Sequence, residues 1–143
     1  MNPVIVNKPT NFPNIRMIGS QAGQGGTLFG LQEVITKLVE GKSVLYLSSE
    51  LRLEEFEERI FKLAEQSPCR EKAEDAIVSR KLRFALVPSR YSIPAIAEKL
   101  KGGTEDFIVI NRFGDGDKEV AELNELVPET SEVLLITQLK RSL

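Results

Sequence analysis

Apolar positions recur along the chain in two alternating rhythms. Short, nearly continuous apolar runs stand at residues 15–18, 43–48, 82–87, 106–111 and 132–137. Between them apolar residues return every three or four positions: Leu28, Leu31, Ile35, Leu38 and Val39; Leu53, Phe56, Ile60 and Leu63; Ile96, Ala97 and Leu100; Val120, Leu123 and Val127. The first rhythm suits strands buried on both faces, the second helices with one buried face. The pattern predicts five strands, helices over 27–40, 52–66 and 117–127, and one opened by Ser92 and Pro94 and closed by Gly102-Gly103. A more polar helix is expected over 70–80, its charges forming a solvated face. Gly41 suits a helix C-terminus, Pro68 ends a helix and Pro88 ends a strand. Alternating strands and helices predict an α/β sandwich on a mainly parallel sheet.

Residues 1–14, rich in Pro and Asn, read as an arm in which Val4-Ile5-Val6 offers at most a short edge strand. The remainder, 15–143, reads as one domain. With 41% hydrophobic residues the chain can bury a real core. Its net charge of −2 lacks the basic excess of a dedicated nucleic-acid binder. The chain has no histidine, which removes the commonest general base and metal ligand. Cys69 is the sole cysteine, so it forms no internal disulfide. No apolar run reaches the length of a membrane span and no signal-peptide pattern opens the chain, so a cytoplasmic protein is the expectation.

The chemistry concentrates where the first strand meets the first helix. Ile15–Ile18 runs into a loop with glycines at 19, 23, 25 and 26, and an amphipathic helix follows at once. Strand, Gly-rich loop, helix is the layout that cradles phosphate on backbone N–H groups. Against the pattern G-x-x-x-x-G-K-[ST], residues Ser20 to Thr27 match at Gly25 and Thr27; Ser20 replaces the first glycine and Gly26 the lysine. The loop keeps the shape and loses the charge. A Gly-rich turn without a ligand remains the other reading of this stretch. In parallel sheets ligands sit at the C-terminal strand ends, and those ends would bring Ser48-Ser49-Glu50, Asn111-Arg112 and Gln138 to the same crevice.

Four segments together resemble the RecA-like ATPase core, and within it the helicase domain of DnaB-type replicative helicases. They are Gly23-x-Gly25-Gly26-Thr27, Val44 to Leu51 with its Ser-x-Glu, Phe107 to Asn111, and Leu135 to Ser142 with its Thr-Gln-Leu-Lys-Arg-Ser. The resemblance spans roughly residues 15 to 143. It implies a three-layer sandwich with a mainly parallel five-stranded sheet, order 3-2-4-5-1 with the strands numbered along the chain. It implies ATP or ADP with Mg²⁺ as ligand, Gly23, Gly25, Gly26, Thr27 and Asn111 as cofactor-binding positions, Glu50 as the water activator, and Gln138 as the γ-phosphate sensor. The family's lysine is Gly26 here and its Mg²⁺-holding carboxylate is Asn111. The chain also stops before the segments that carry the family's DNA-contacting loops and arginine finger, a finger worth about 10³–10⁵ in rate. Efficient ATP hydrolysis is therefore not expected.

Each candidate also has a plain role open to it. Glu50 and Thr27 suit a helix start, Asn111 a strand end, and Gln138 an exposed surface; Asp115 and Asp117 around Gly116 suit a turn rather than a metal loop. Three functions follow from the residues and the resemblance. The first is a degenerate domain acting in DNA replication or recombination through a helicase or recombinase subunit, or through self-association. The second is a weak ATP-binding switch with Lys42, Arg16 or Arg112 supplying the missing charge. The third is a single-stranded nucleic-acid-binding accessory protein using scattered basic residues such as Arg80, Lys81 and Arg83.

Overall fold

The computed structural model describes residues 5–21, 25–49, 51–87, 93–101, 103–111 and 116–138. Along them run β1 (Ile5–Lys8), β2 (Ile15–Ser20), α1 (Gly26–Val39), β3 (Val44–Ser48), α2 (Leu53–Gln66), α3 (Arg70–Val78), β4 (Leu82–Leu86), α4 (Ile93–Leu100), β5 (Phe107–Asn111), α5 (Asp117–Leu126) and β6 (Glu132–Gln138). Every expected helix and strand forms within a residue or two of its anticipated bounds. Ser92, Pro88 and Gly102 lie outside the described residues.

The strands make one six-stranded sheet in the order β1-β2-β6-β5-β3-β4. This corrects the five-stranded expectation in count and order: the arm contributes β1, which pairs antiparallel with β2 and makes the sheet mixed. The other pairings are all parallel. Those five parallel strands by themselves run β4-β3-β5-β6-β2, so β1 is an addition at one edge rather than a rearrangement. The arm's Pro9 and Pro13 confine strand structure to the short segment before them, at an edge, where proline does least harm.

Helices cover both faces. On one, α1, α2 and α3 bring Leu31, Val34, Leu38, Phe56, Ile60 and Ala73 against Ile18, Tyr46, Val109 and Leu134. On the other, α4 and α5 bring Ile96, Val120 and Leu123 against Met17, Leu47, Ile110 and Leu135. β3 and β5 are buried at every residue, which is why they read as unbroken apolar runs. Two apolar positions depart from the expected stripes: Leu28 and Leu53 are 48% and 47% exposed. Both sit in the first turn of their helices, at the rim of the sheet. Among the described residues no helix is long and apolar enough to cross a membrane.

Helix ends follow local chemistry. Gly41, at φ +87, ends α1 as expected, a conformation that costs glycine nothing. Arg80 does the same work after α3 at φ +62, with its N–H donating to the Ile77 carbonyl at 3.1 Å. A side chain in this region is strained by about 1 kcal/mol. Arg80→Gly is therefore expected to stabilise the fold by a few tenths to about 1 kcal/mol, after the entropy that glycine adds to the unfolded chain. A thermal midpoint that does not rise would mean that Arg80's side chain makes contacts outweighing the strain.

Candidate functional site

The C-terminal strand ends and the start of α1 come together at one edge of the sheet, the place called the crevice below. Ser20 ends β2, Gln138 ends β6, Asn111 ends β5 and Ser48 ends β3. Ser20 and Gln138 are register partners, as are Asn111 and Ile136. The structure thus brings Gly25, Gly26, Thr27, Asn111 and Gln138 to the same end of the sheet. Gln138 is exposed there. Gly23 and Glu50 lie outside the described residues.

Gly25 is the residue before α1, at φ +93, and its carbonyl accepts the Phe29 N–H at 2.9 Å. Glycine is needed here: the turn from loop to helix uses the left-handed region. No side chain caps the helix and its first turn carries no acid, so its first N–H groups keep their partial positive charge.

Gly26 is buried and tightly packed. A Cβ built there would lie 3.0 Å from Ser20 Cβ, 3.1 Å from Ser20 Oγ and 3.2 Å from Ile136 Cγ2. Two of these are atoms next to the backbone or on a branched side chain, which yield little. Gly26, which the pattern G-x-x-x-x-G-K-[ST] aligns with its lysine, is here a contact between α1 and the sheet.

Asn111 is 2% exposed. Its Nδ2 donates to Thr27 Oγ1 at 3.2 Å and to the Tyr46 hydroxyl at 3.2 Å. Tyr46 stands in the middle of β3, fully buried, its ring held by Phe56 with centroids 5.1 Å apart and Phe84 at 6.2 Å. Burial pushes the Tyr46 phenol well above its ordinary range, against the opposing pull of the Asn111 hydrogen bond and the Arg59 charge. Beside it, Gly30 makes room for Ile136: a Cβ there would sit 2.7 Å from Ile136 Cδ1, and 3.6 Å from the Tyr46 hydroxyl, an ordinary contact. The polar chain Thr27–Asn111–Tyr46 therefore runs from the helix start into the core.

Tyr46 is the site residue that sequence reasoning missed. One signal for it was present, a lone phenol in the aliphatic run Val44-Leu-Tyr-Leu47, since a buried tyrosine hydroxyl needs a partner.

A Mg²⁺ ion at this place needs oxygen ligands: the Thr27 hydroxyl and a carboxylate oxygen. Asn111 turns an N–H donor toward that hydroxyl. Among the described residues no group of three or more His, Cys, Asp or Glu could hold a metal. The residues present do not fit the ion.

The cations expected to replace the lysine are placed elsewhere. Lys42, between α1 and β3, lies at the opposite end of the sheet and pairs with Glu132 at 3.7 Å. Arg16, near the start of β2, pairs with Glu33 at 3.0 Å and lies over the Phe29 ring. Arg112 lies outside the described residues. Ser48 Oγ accepts the Leu51 N–H at 3.1 Å, fixing the chain as it leaves β3. What the described crevice offers is a row of hydrogen-bond donors in a packed setting, with the charge of Arg59 acting on its Tyr46 hydroxyl. A scan of the chain against protein-family models finds no match, and a search of curated proteins finds none either.

Proposed function

We propose that the chain is a catalytically degenerate RecA/DnaB-like domain that acts as an accessory or regulatory binding protein in DNA replication or recombination. Its partner would be a helicase or recombinase subunit, or a second copy of itself. The replication context rests on the sequence resemblance of the four segments around the crevice. The loss of catalysis is carried by one observation, the packing at Gly26. Phosphoryl transfer relies on cations placed against the transferring group; the residue aligned with the main one is a glycine, and a side chain starting there would press on Ser20 and Ile136. The switch reading loses support because Lys42 and Arg16 are engaged away from the crevice. The nucleic-acid reading loses Arg83, whose Nε donates to Glu105 at 2.7 Å.

The test is calorimetric titration with ATP and ADP, with and without Mg²⁺, beside a steady-state ATPase assay. The expected result is no Mg²⁺-dependent hydrolysis, followed by capture of a helicase or recombinase subunit in a pull-down. A robust Mg²⁺-dependent rate would sink the reading. Gly26→Lys extends the test. Restoring the lysine is expected to lower stability by about 1–3 kcal/mol through overpacking, and to bring no ATPase activity. An active Gly26→Lys variant would show that the crevice was lacking only a charge.

A further inference from the structure

We propose that Asn111 is a metal-excluding residue. Through Nδ2 it makes the tie between β5 and the start of α1 that a divalent cation would otherwise make, and Tyr46 is the positioning residue that holds the amide in place. A carboxamide carries two N–H donors on one side and a single oxygen on the other. In Asn111 both contacts run from the nitrogen, to the Thr27 and Tyr46 hydroxyls. A cation approaching Thr27 Oγ1 meets that N–H dipole, positive end first, with no negative charge at Asn111 to offset it. A carboxylate at the same place would reverse the interaction and attract the ion.

Tyr46 gives the arrangement its rigidity. Phe56 and Phe84 lie against its ring and against each other, the latter pair with centroids 4.4 Å apart. Its hydroxyl thus presents a fixed acceptor to Asn111. A buried amide with two such acceptors is held far more firmly than one free to turn, because leaving either N–H unpaired is costly.

The proposal rests on the reading of the crevice as a degenerate phosphate loop, yet the two fail separately. A Mg²⁺ response would overturn the exclusion and leave the loop without its lysine. Metal-independent hydrolysis of ATP would overturn the degenerate reading and leave the exclusion standing.

The experiment uses the full chain labelled with ¹⁵N and follows the Asn111 side-chain amide, assigned by its loss in Asn111→Asp. Two separate, slowly exchanging proton signals are expected, neither shifting as Mg²⁺ is raised to millimolar levels. Thr27→Ala is expected to speed exchange of one proton about tenfold and Tyr46→Phe that of the other, as loss of one hydrogen bond implies. In parallel, thermal unfolding is measured in Mg²⁺ and in chelator. The wild-type midpoint is expected to be the same in both, and the Asn111→Asp midpoint to rise with Mg²⁺. Saturable movement of the wild-type signals with Mg²⁺ would overturn the proposal. So would a wild-type midpoint that falls on chelation, or an Asn111→Asp variant as indifferent to Mg²⁺ as the wild type. Unchanged exchange in Tyr46→Phe would remove Tyr46 from its positioning role.

Discussion

Tyr46→Ala is expected to cost about 3–5 kcal/mol, the range for truncating a large buried aromatic. The side chain is fully buried and lies between α1 and β3 with Phe56 and Phe84 around it. Truncation removes the transfer energy of the ring and leaves a cavity that the stiff sheet below cannot close. It also strands the Asn111 amide, one of whose donors loses its acceptor. Tyr46→Phe separates these terms. It keeps the ring and loses only the hydroxyl, so its cost is expected near 1–3 kcal/mol, that of an unpaired buried polar group. Urea unfolding of both variants checks the difference. Equal losses would mean that the ring's packing counts for nothing, and the place given to Tyr46 in the core would be wrong.

Leu123→Ala is the second large effect, expected at about 2–5 kcal/mol. The layer to which Leu123 belongs is the thinner one. α4 has eight residues with Ile96 as its buried member, and α5 has ten with Val120 and Leu123. The opposite face has three helices, and α1 alone buries Leu31, Val34, Ile35 and Leu38. A cavity under α5 therefore falls where few contacts can share the loss. The free energy is read by urea unfolding and its location by amide hydrogen exchange. Exchange in α4 and α5 is expected to accelerate well before exchange in α1, because the weaker layer opens locally. A uniform acceleration across both layers would show that they open as a single unit.

The sequence made the layered fold legible because its two rhythms are unmixed. β3 and β5 read as strands from their unbroken apolar character, and burial on both faces is the reason for that character. β1 was faint for a physical reason: it is four residues long, exposed at Val6 and Asn7, and held from one side only. The candidate site was legible in part. Gly25, Gly26, Thr27, Asn111 and Gln138 do converge, because parallel strands deliver their C-terminal ends to one edge. What the sequence could not convey is how they meet. Asn111 touches Thr27 and Tyr46 across 84 and 65 residues of chain, and those contacts depend on register. Gly26 carried a similar ambiguity. In the sequence it stands for a missing charge; in the fold it stands for missing space.

The buried phenol has one more consequence, for observation. The chain contains no tryptophan and two tyrosines, so its ultraviolet emission belongs to the tyrosines. Because burial holds the Tyr46 phenol above its ordinary range, that ring stays neutral in moderate alkali while the fold is closed. Its phenolate absorbance emerges only as water reaches the middle of β3. With Tyr91 replaced by phenylalanine, the side chain that steadies the crevice is thereby also an optical probe of when the sheet and α1 separate.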